Sequence, residues 1–225
     1  MSTRGVVMYG VNNTHINYVK IATANAKLVK HFMQVPVTLI TNQKGKDTVE
    51  SGVFDQVILD STKGPVNSRT YRDTIYHEFT ADFKNFNRPS VYDLSPYEET
   101  LLIDVDYIIQ SNILNNCWGS VEDVLINNDA ISLMNEPLTG NEFRLSPQGI
   151  RMFWATVVYF KKSYIAKTLF DMVCHVRDHW EFYQVIYGFP NVMYRNDYAF
   201  SIAIHTMNGF LENTSFKPLP VPYIL

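Results

Sequence analysis

The clearest chemical potential lies in Thr100 to Asn112, TLLIDVDYIIQSN, where an apolar run ends in Asp104-Val105-Asp106. Thr100 to Ile103 has the continuous β-favouring character of a buried strand in a parallel sheet. Two carboxylates at i and i+2 of an extended chain point to the same side. Holding both at the end of a buried strand is costly unless positive charge neutralises them. A hard divalent cation, Mg²⁺ or Mn²⁺, does so and takes phosphate oxygens into the same shell. Open α/β sheets bind ligands beyond the carboxyl ends of their strands, which is where this pair falls. A second charged stretch, Asn67 to Asp73, carries Arg69 and Arg72, which suit bidentate contact with a diphosphate. A third carboxylate, Asp197, opens a predicted helix. Each has a plainer alternative: a solvated strand end, a surface charge run with Asp73 pairing a neighbour, and an acid placed at a helix start for capping alone.

These groups need a scaffold, and the hydrophobic pattern supplies one. RGVVMYGV (Arg4 to Val11) reads as a buried strand, followed by a turn at Asn12-Asn13-Thr14. Ile16, Val19, Ala22, Ala26, Val29 and Phe32 recur at helical spacing across His15 to Phe32. Val37 to Ile40 and Val57 to Leu59 read as the next strands, separated by a loop or short helix around Gly45, Asp47 and Gly52. This βαβ opening predicts a parallel sheet. Ser61 to Phe86 is polar and charged, and Asn87-Arg88-Pro89 breaks the chain before the D-x-D strand. Beyond it the pattern predicts a short helix over Asn115 to Val121 and a strand over Asp129 to Met134. A further strand follows over Met152 to Phe160, rich in β-branched and aromatic residues. A helix capped by Ser163 is predicted over Tyr164 to Tyr187, closed by Gly188-Phe189-Pro190, with another over Tyr198 to Met207. The proline-containing end, Phe216 to Leu225, reads as extended chain over the surface.

Composition narrows the class. The 225 residues, 46% hydrophobic and 18% charged, suffice for one large domain with a real core. A formal charge of -3 gives no global field for nucleic acid or anionic membrane. Cys117 and Cys174 lack metal-type spacing, which suits reduced thiols in the cytoplasm. Neither a signal-peptide core nor an apolar run of membrane-spanning length is legible. No G-x-S-x-G elbow or phosphate loop of the G-x-x-x-x-G-K-[ST] type occurs, which counts against a serine hydrolase and a P-loop enzyme.

The order of parts resembles the nucleotide-sugar-dependent glycosyltransferases of the GT-A fold, the glycogenin-like ones in particular. The carriers are Leu101-Leu102-Ile103-Asp104-Val105-Asp106, the aromatic strand Phe153 to Phe160, and Arg195-Asn196-Asp197 before a helix. The resemblance implies an α/β fold: a single GT-A-like (Rossmann-like) domain with a mostly parallel mixed sheet flanked by helices. Residues 1–112 would form the nucleotide-binding half, and 113–225 the acceptor and sugar half with the tail. It implies a nucleotide-sugar donor, UDP-sugar foremost, and Mn²⁺ or Mg²⁺ held by Asp104 and Asp106. Tyr9, Gly10 and Val11 would seat the nucleotide base, Trp154 would pass the donor sugar, and Asp197 would face that sugar. His205 would stand where the family places a late metal-binding histidine, with Gly209 and Lys217-Pro218 at looser spacing than the family's. Trp154-Ala155-Thr156 replaces the family's Asn-Ser-Gly. The implied activity is hexosyl or pentosyl transfer, retaining by the glycogenin-like parallel, to a glycan, a protein or, as in some bacteriophage enzymes, a modified DNA base. Two rivals stand beside it: a nucleotidyltransferase, for which Val11 to His15 lacks the expected Gly-rich basic loop, and a catalytically inactive nucleotide-sugar-binding module.

Overall fold

The computed structural model describes residues 3–62, 67–74, 77–128, 130–131, 137–138, 149–188, 192–211, 215–220 and 223–224. In chain order the elements are β1 (Arg4–Tyr9), α1 (Tyr18–Phe32), β2 (Val37–Thr41), α2 (Gln43–Lys46), β3 (Gln56–Leu59), β4 (Asn67–Thr74) and β5 (His77–Phe83). There follow α3 (Val91–Leu94), β6 (Glu99–Ile103), β7 (Val124–Asn127), β8 (Ala130–Ile131), β9 (Pro137–Leu138) and β10 (Trp154–Lys161). The chain ends with α4 (Tyr164–Asp178), α5 (Trp180–Ile186), α6 (Asn196–Met207) and β11 (Tyr223–Ile224).

Six strands make one mixed sheet in the order β3-β2-β1-β6-β10-β7. β1, β2, β3 and β6 run parallel, and β10 lies antiparallel to both β6 and β7. Strand alternation then assigns each residue to one of two buried faces. Val7, Tyr9, Leu102, Val158 and Phe160 belong to a core shared with Leu169, Phe170 and Val173 of α4 and with Phe200 and Ala203 of α6. Val6, Met8, Leu39, Leu101, Ile103, Val157 and Tyr159 belong to the other, shared with Val19, Ala22, Ala26 and Val29 of α1. Burial on both faces explains why these strands read as unbroken apolar runs. Gly5 is required by close approach: a Cβ there would lie 2.4 Å from Cζ of Tyr97, whose ring packs across β1.

Helix ends follow side-chain capping. Asn17 accepts from Lys20 N to start α1, three residues later than the periodicity suggests. Ser163 accepts from Ala166 N to start α4. The single helix expected over Tyr164 to Tyr187 is two, because His179 leaves helical geometry (φ -117°, ψ 32°) between α4 and α5. α6 begins two residues earlier than expected, at Asn196. The helix expected over Asn115 to Val121 is instead a 3₁₀ turn, Ile113–Cys117, closed by Trp118 Nε1 donating to Asn115 Oδ1 and by Gly119 at φ +73°.

Two further differences concern strands. The sheet strand after the D-x-D segment is Val124–Asn127, ahead of the expected Asp129 to Met134. Within that expected range, Ala130 and Ile131 pair with β9 and β11 in a separate small sheet, while 129 and 132–134 lie outside the described residues. The polar stretch before Asn87 forms the antiparallel hairpin β4–β5, whose strands pair only with each other among the described residues. Its threonines and aromatics have strand character, but the interspersed charge and the lack of a Gly or Asn turn signal hide it. The segment near Lys217 runs along the outer edge of β7, with Ile126 N donating to Lys217 O and Leu219 N to Asn127 Oδ1. No helix among the described residues is long and apolar enough to cross a membrane.

Candidate active site

A cleft of about 930 Å³ opens beyond the carboxyl ends of β1 and β6, within the range of small-molecule sites. Its walls come from distant parts of the chain: Tyr9 to Val11 after β1, Lys84 to Arg88 after the hairpin, Asp104 to Ile108 after β6, Trp154 and Thr156 on β10, and Met193 to Asp197 at the start of α6. Asp104, Asp106, Asp197, Trp154, Tyr9, Gly10 and Val11 are therefore gathered round one space.

The D-x-D pair reaches it by a different geometry from the extended one expected. Asp104 N still donates to Thr156 O, continuing the β6–β10 ladder, but Val105 and Asp106 turn, and Tyr107 N donates to Asp104 O. Asp106 is thereby exposed in the cleft while Asp104 stays beneath it. Arg88, with a side chain 2% exposed, lies under Asp104: its Nη2 is 3.2 Å from Asp104 Oδ1 and donates at 3.2 Å to Thr156 O. Burial pushes the Asp104 carboxyl up to about 7; Arg88 pulls against that shift, and the like charges of Asp106 and Asp197 add to it.

Asp197 is fixed at both oxygens. Ala155 N donates to Oδ1 at 2.9 Å and Arg195 Nη2 to Oδ2 at 2.9 Å. The Arg195 guanidinium lies 5.3 Å from the Tyr198 ring centroid, and that ring stacks on Trp180. The neighbouring Asn196, buried, donates to Asn85 O and accepts from Tyr194 Oη. At the opposite wall Tyr9 Oη donates to Asp60 Oδ2 at 2.6 Å, and burial followed by this bond raises the phenol far above its ordinary range. Gly10 keeps the wall low, since a Cβ there would lie 3.1 Å from Val105 Cγ1.

The donor set suits a hard divalent ion of a particular kind. Two carboxylates from one turn are the usual protein share of a Mg²⁺ or Mn²⁺ site completed by phosphate and water. A cation there would favour the ionised form of Asp104 against the burial that lifts its carboxyl. Among the described residues no group of three His, Cys, Asp or Glu side chains could hold an ion without a ligand's help.

One expected residue is not brought to the cleft. His205 stands in the last turn of α6, its Nδ1 2.9 Å from Tyr187 Oη, and lines a separate small recess with Ile150 and Phe153. At 1.5 Å per residue it is about 12 Å along the helix from Asp197. Arg69 and Arg72 lie on β4, in register with Ala81 and Glu78, and their side chains lie outside those described. Arg88, Lys84 and Asn85 escaped the sequence reading because Asn87-Arg88-Pro89 looks like simple punctuation. The signal available was electrostatic: a buried carboxylate requires a cation, and Arg88 is the arginine nearest ahead of β6.

No protein-family model matches the sequence, and no curated protein matches it. Solved structures do. The glycosyltransferase GlyE of Streptococcus pneumoniae TIGR4 is 13% identical with a TM-score of 0.51, covering 97% of this chain but 45% of its own. The galactosyltransferase LgtC, solved in complex with donor and acceptor sugar analogs, is 12% identical with a TM-score of 0.52, covering 88% of this chain and 69% of its own. An active-site mutant of LgtC gives the same TM-score at 13% identity. The chain thus spans under half the length of the GlyE structure. At such identities the likeness speaks for architecture, and it agrees with the sheet order and flanking helices described above: the chain has the α/β fold of the GT-A glycosyltransferases.

Proposed function

We propose that this protein transfers a sugar from a nucleotide-sugar donor, a UDP-sugar foremost, to an acceptor hydroxyl, with retention at the sugar carbon. The observation that carries this reading is the convergence of Asp104 and Asp106 with Asp197, from a segment about ninety residues on, around one cleft at the carboxyl ends of the strands. Tyr9, Gly10 and Val11 form the wall for the nucleotide base, and the low profile of Gly10 lets a flat ring approach the backbone. Asp104 and Asp106 would hold Mn²⁺ or Mg²⁺, which when bound supplies Lewis-acid stabilisation of the departing diphosphate. Arg88 keeps Asp104 in place from below. Trp154, only 6% exposed, borders the sugar space. Asp197 already accepts from Ala155 N and Arg195. Its fixed geometry suits holding a sugar hydroxyl and stabilising positive charge at the sugar, rather than swinging to an acceptor as a base.

The test is donor hydrolysis across a panel of nucleotide sugars, with and without Mn²⁺, comparing the wild-type chain with Asp106→Ala. Metal-dependent release of nucleoside diphosphate, reduced roughly 100-fold or more in the variant, is the expected result. Inert nucleotide sugars, with pyrophosphate released from a nucleoside triphosphate and a sugar 1-phosphate in a parallel assay, would identify a nucleotidyltransferase. Donor binding with no turnover would identify an inactive module.

A further inference from the structure

We propose that Lys84 is the phosphate-binding cation of the cleft, presented by the β4–β5 hairpin and held between the two walls by Asn13 and Asn196. This inference rests on the nucleotide-donor reading above and names the group that receives the donor's diphosphate.

The cleft's charges single it out. The cations among its described lining residues are Lys84, Arg88 and Arg195. Arg88 is buried beneath Asp104 and directs Nη2 to that carboxylate and to Thr156 O. Arg195 is bonded to Asp197 and packed on Tyr198. Lys84 differs: its ammonium is 3.9 Å from Asp82 Oδ2, beyond hydrogen-bond reach, and its side chain is 39% exposed. A lysine ammonium carries three rotatable donors on a flexible stem and binds phosphate as a point charge, without a fixed fork geometry.

Its placement is the second argument. A two-stranded ribbon alone is poorly fixed, yet the backbone on either side of Lys84 is anchored. Asp82 O accepts from Asn13 Nδ2 at 3.1 Å, and Asn13 is itself locked because its Oδ1 accepts from His15 N and Ile16 N. Asn85 O accepts from Asn196 Nδ2 at 3.1 Å. Asn13 belongs to the turn that follows the base-seating wall, and Asn196 adjoins Asp197 on the sugar wall. Lys84 is therefore strung between the ends of the site that the two halves of a nucleotide sugar would occupy, and the diphosphate joins those halves. The Lys217-Pro218 step cannot serve from its position along the outer edge of β7, outside the cleft lining.

The experiment is calorimetric binding of UDP, GDP, ADP, CDP and TDP, and of the matching nucleosides, with Mg²⁺ and again in EDTA. Lys84→Ala, Lys84→Gln and Lys84→Arg are compared with wild type and with the exposed control Lys20→Ala, folding being checked by circular dichroism. The diphosphate that wild type binds should weaken roughly 10- to 100-fold in Lys84→Ala and Lys84→Gln. Its nucleoside should change less than about 2-fold, Lys84→Arg should keep most of the affinity, and the loss should shrink at high salt. Undiminished diphosphate binding in Lys84→Ala and Lys84→Gln, or equal weakening of diphosphate and nucleoside, overturns the role of Lys84 and leaves the donor reading intact. Failure of the wild-type chain to bind any of these diphosphates overturns both.

Discussion

Replacing Arg88 by methionine removes a buried cation while keeping much of its stem. The guanidinium is 2% exposed and 3.2 Å from both Asp104 Oδ1 and Thr156 O. Taking one partner from a buried ion pair costs ~3–5 kcal/mol when the other remains charged. Asp104 does not remain charged at every pH. Its carboxyl is held near 7 by burial, above the ordinary 3.8. The stability linked to its protonated form is complete below 3.8 and is lost as pH rises through about 7. Arg88 offsets part of that loss by favouring the ionised form, so its removal pushes the carboxyl higher still, and the deficit of the variant should be widest above neutrality. The Asp104 side chain is 29% exposed to the cleft, and water there screens the charge, so the lower figure of about 3 kcal/mol applies near pH 8.5. Near pH 5 Asp104 is mostly neutral in both proteins, leaving chiefly the lost bond to Thr156 O, about 1 kcal/mol. Urea unfolding in EDTA at both pH values, on wild type, Arg88→Met, Asp104→Asn and the double variant, measures this. Asp104→Asn should restore most of the deficit at the higher pH. A deficit that is the same at both pH values, or that Asp104→Asn fails to relieve, would refute the reasoning.

Three further outcomes follow from the same contacts. Gly5→Ala puts a methyl 2.4 Å from the Tyr97 ring, which is buried and whose Oη is 2.8 Å from Thr38 Oγ1; urea unfolding should show a loss of about 3 kcal/mol. Ser163→Ala removes the acceptor for Ala166 N and should cost about 1 kcal/mol in the same assay while nucleotide affinity stays unchanged. Asp197→Asn keeps the bond from Ala155 N and loses the carboxylate charge beside the sugar. Donor affinity should stay within a few-fold while hydrolysis falls roughly 100-fold, read by steady-state kinetics.

The sequence shows the strands of the sheet's centre plainly because they are buried on both faces, and a two-sided core leaves continuous apolar runs such as Val6 to Met8 and Leu101 to Ile103. The stripe of α1 and the capping serine of α4 were legible for the same local reason. The hairpin was not, since among the described residues its strands pair only with each other and its interspersed charges hide the strand pattern. Nor was Val124–Asn127, whose apolar run of three residues, Val124 to Ile126, is too short for periodicity to assign. In the cleft, Asp104, Asp106 and Asp197 were found because carboxylates beside apolar runs or at helix starts are conspicuous. Arg88, Lys84 and Asn13 were not, since their significance lies in what they touch across 16, 20 and 69 positions of chain: Asp104, Asp104's cleft, and Asp82 O.

The sheet order also has a consequence for how the chain is made. β2 and β3 settle on one side of β1 within the first sixty residues, whereas the strand that covers its other side, in register from Arg4↔Glu99 to Met8↔Ile103, comes forty residues later still. On a ribosome adding about 5–20 residues per second, those last forty residues alone leave that edge uncovered for roughly 2–8 seconds. During this interval the nascent protein presents the unpaired backbone of Gly5, Val6, Val7 and Met8, a short apolar template for a neighbouring chain. Closing that template falls to the Glu99–Ile103 strand, which pairs with each residue from Arg4 to Met8.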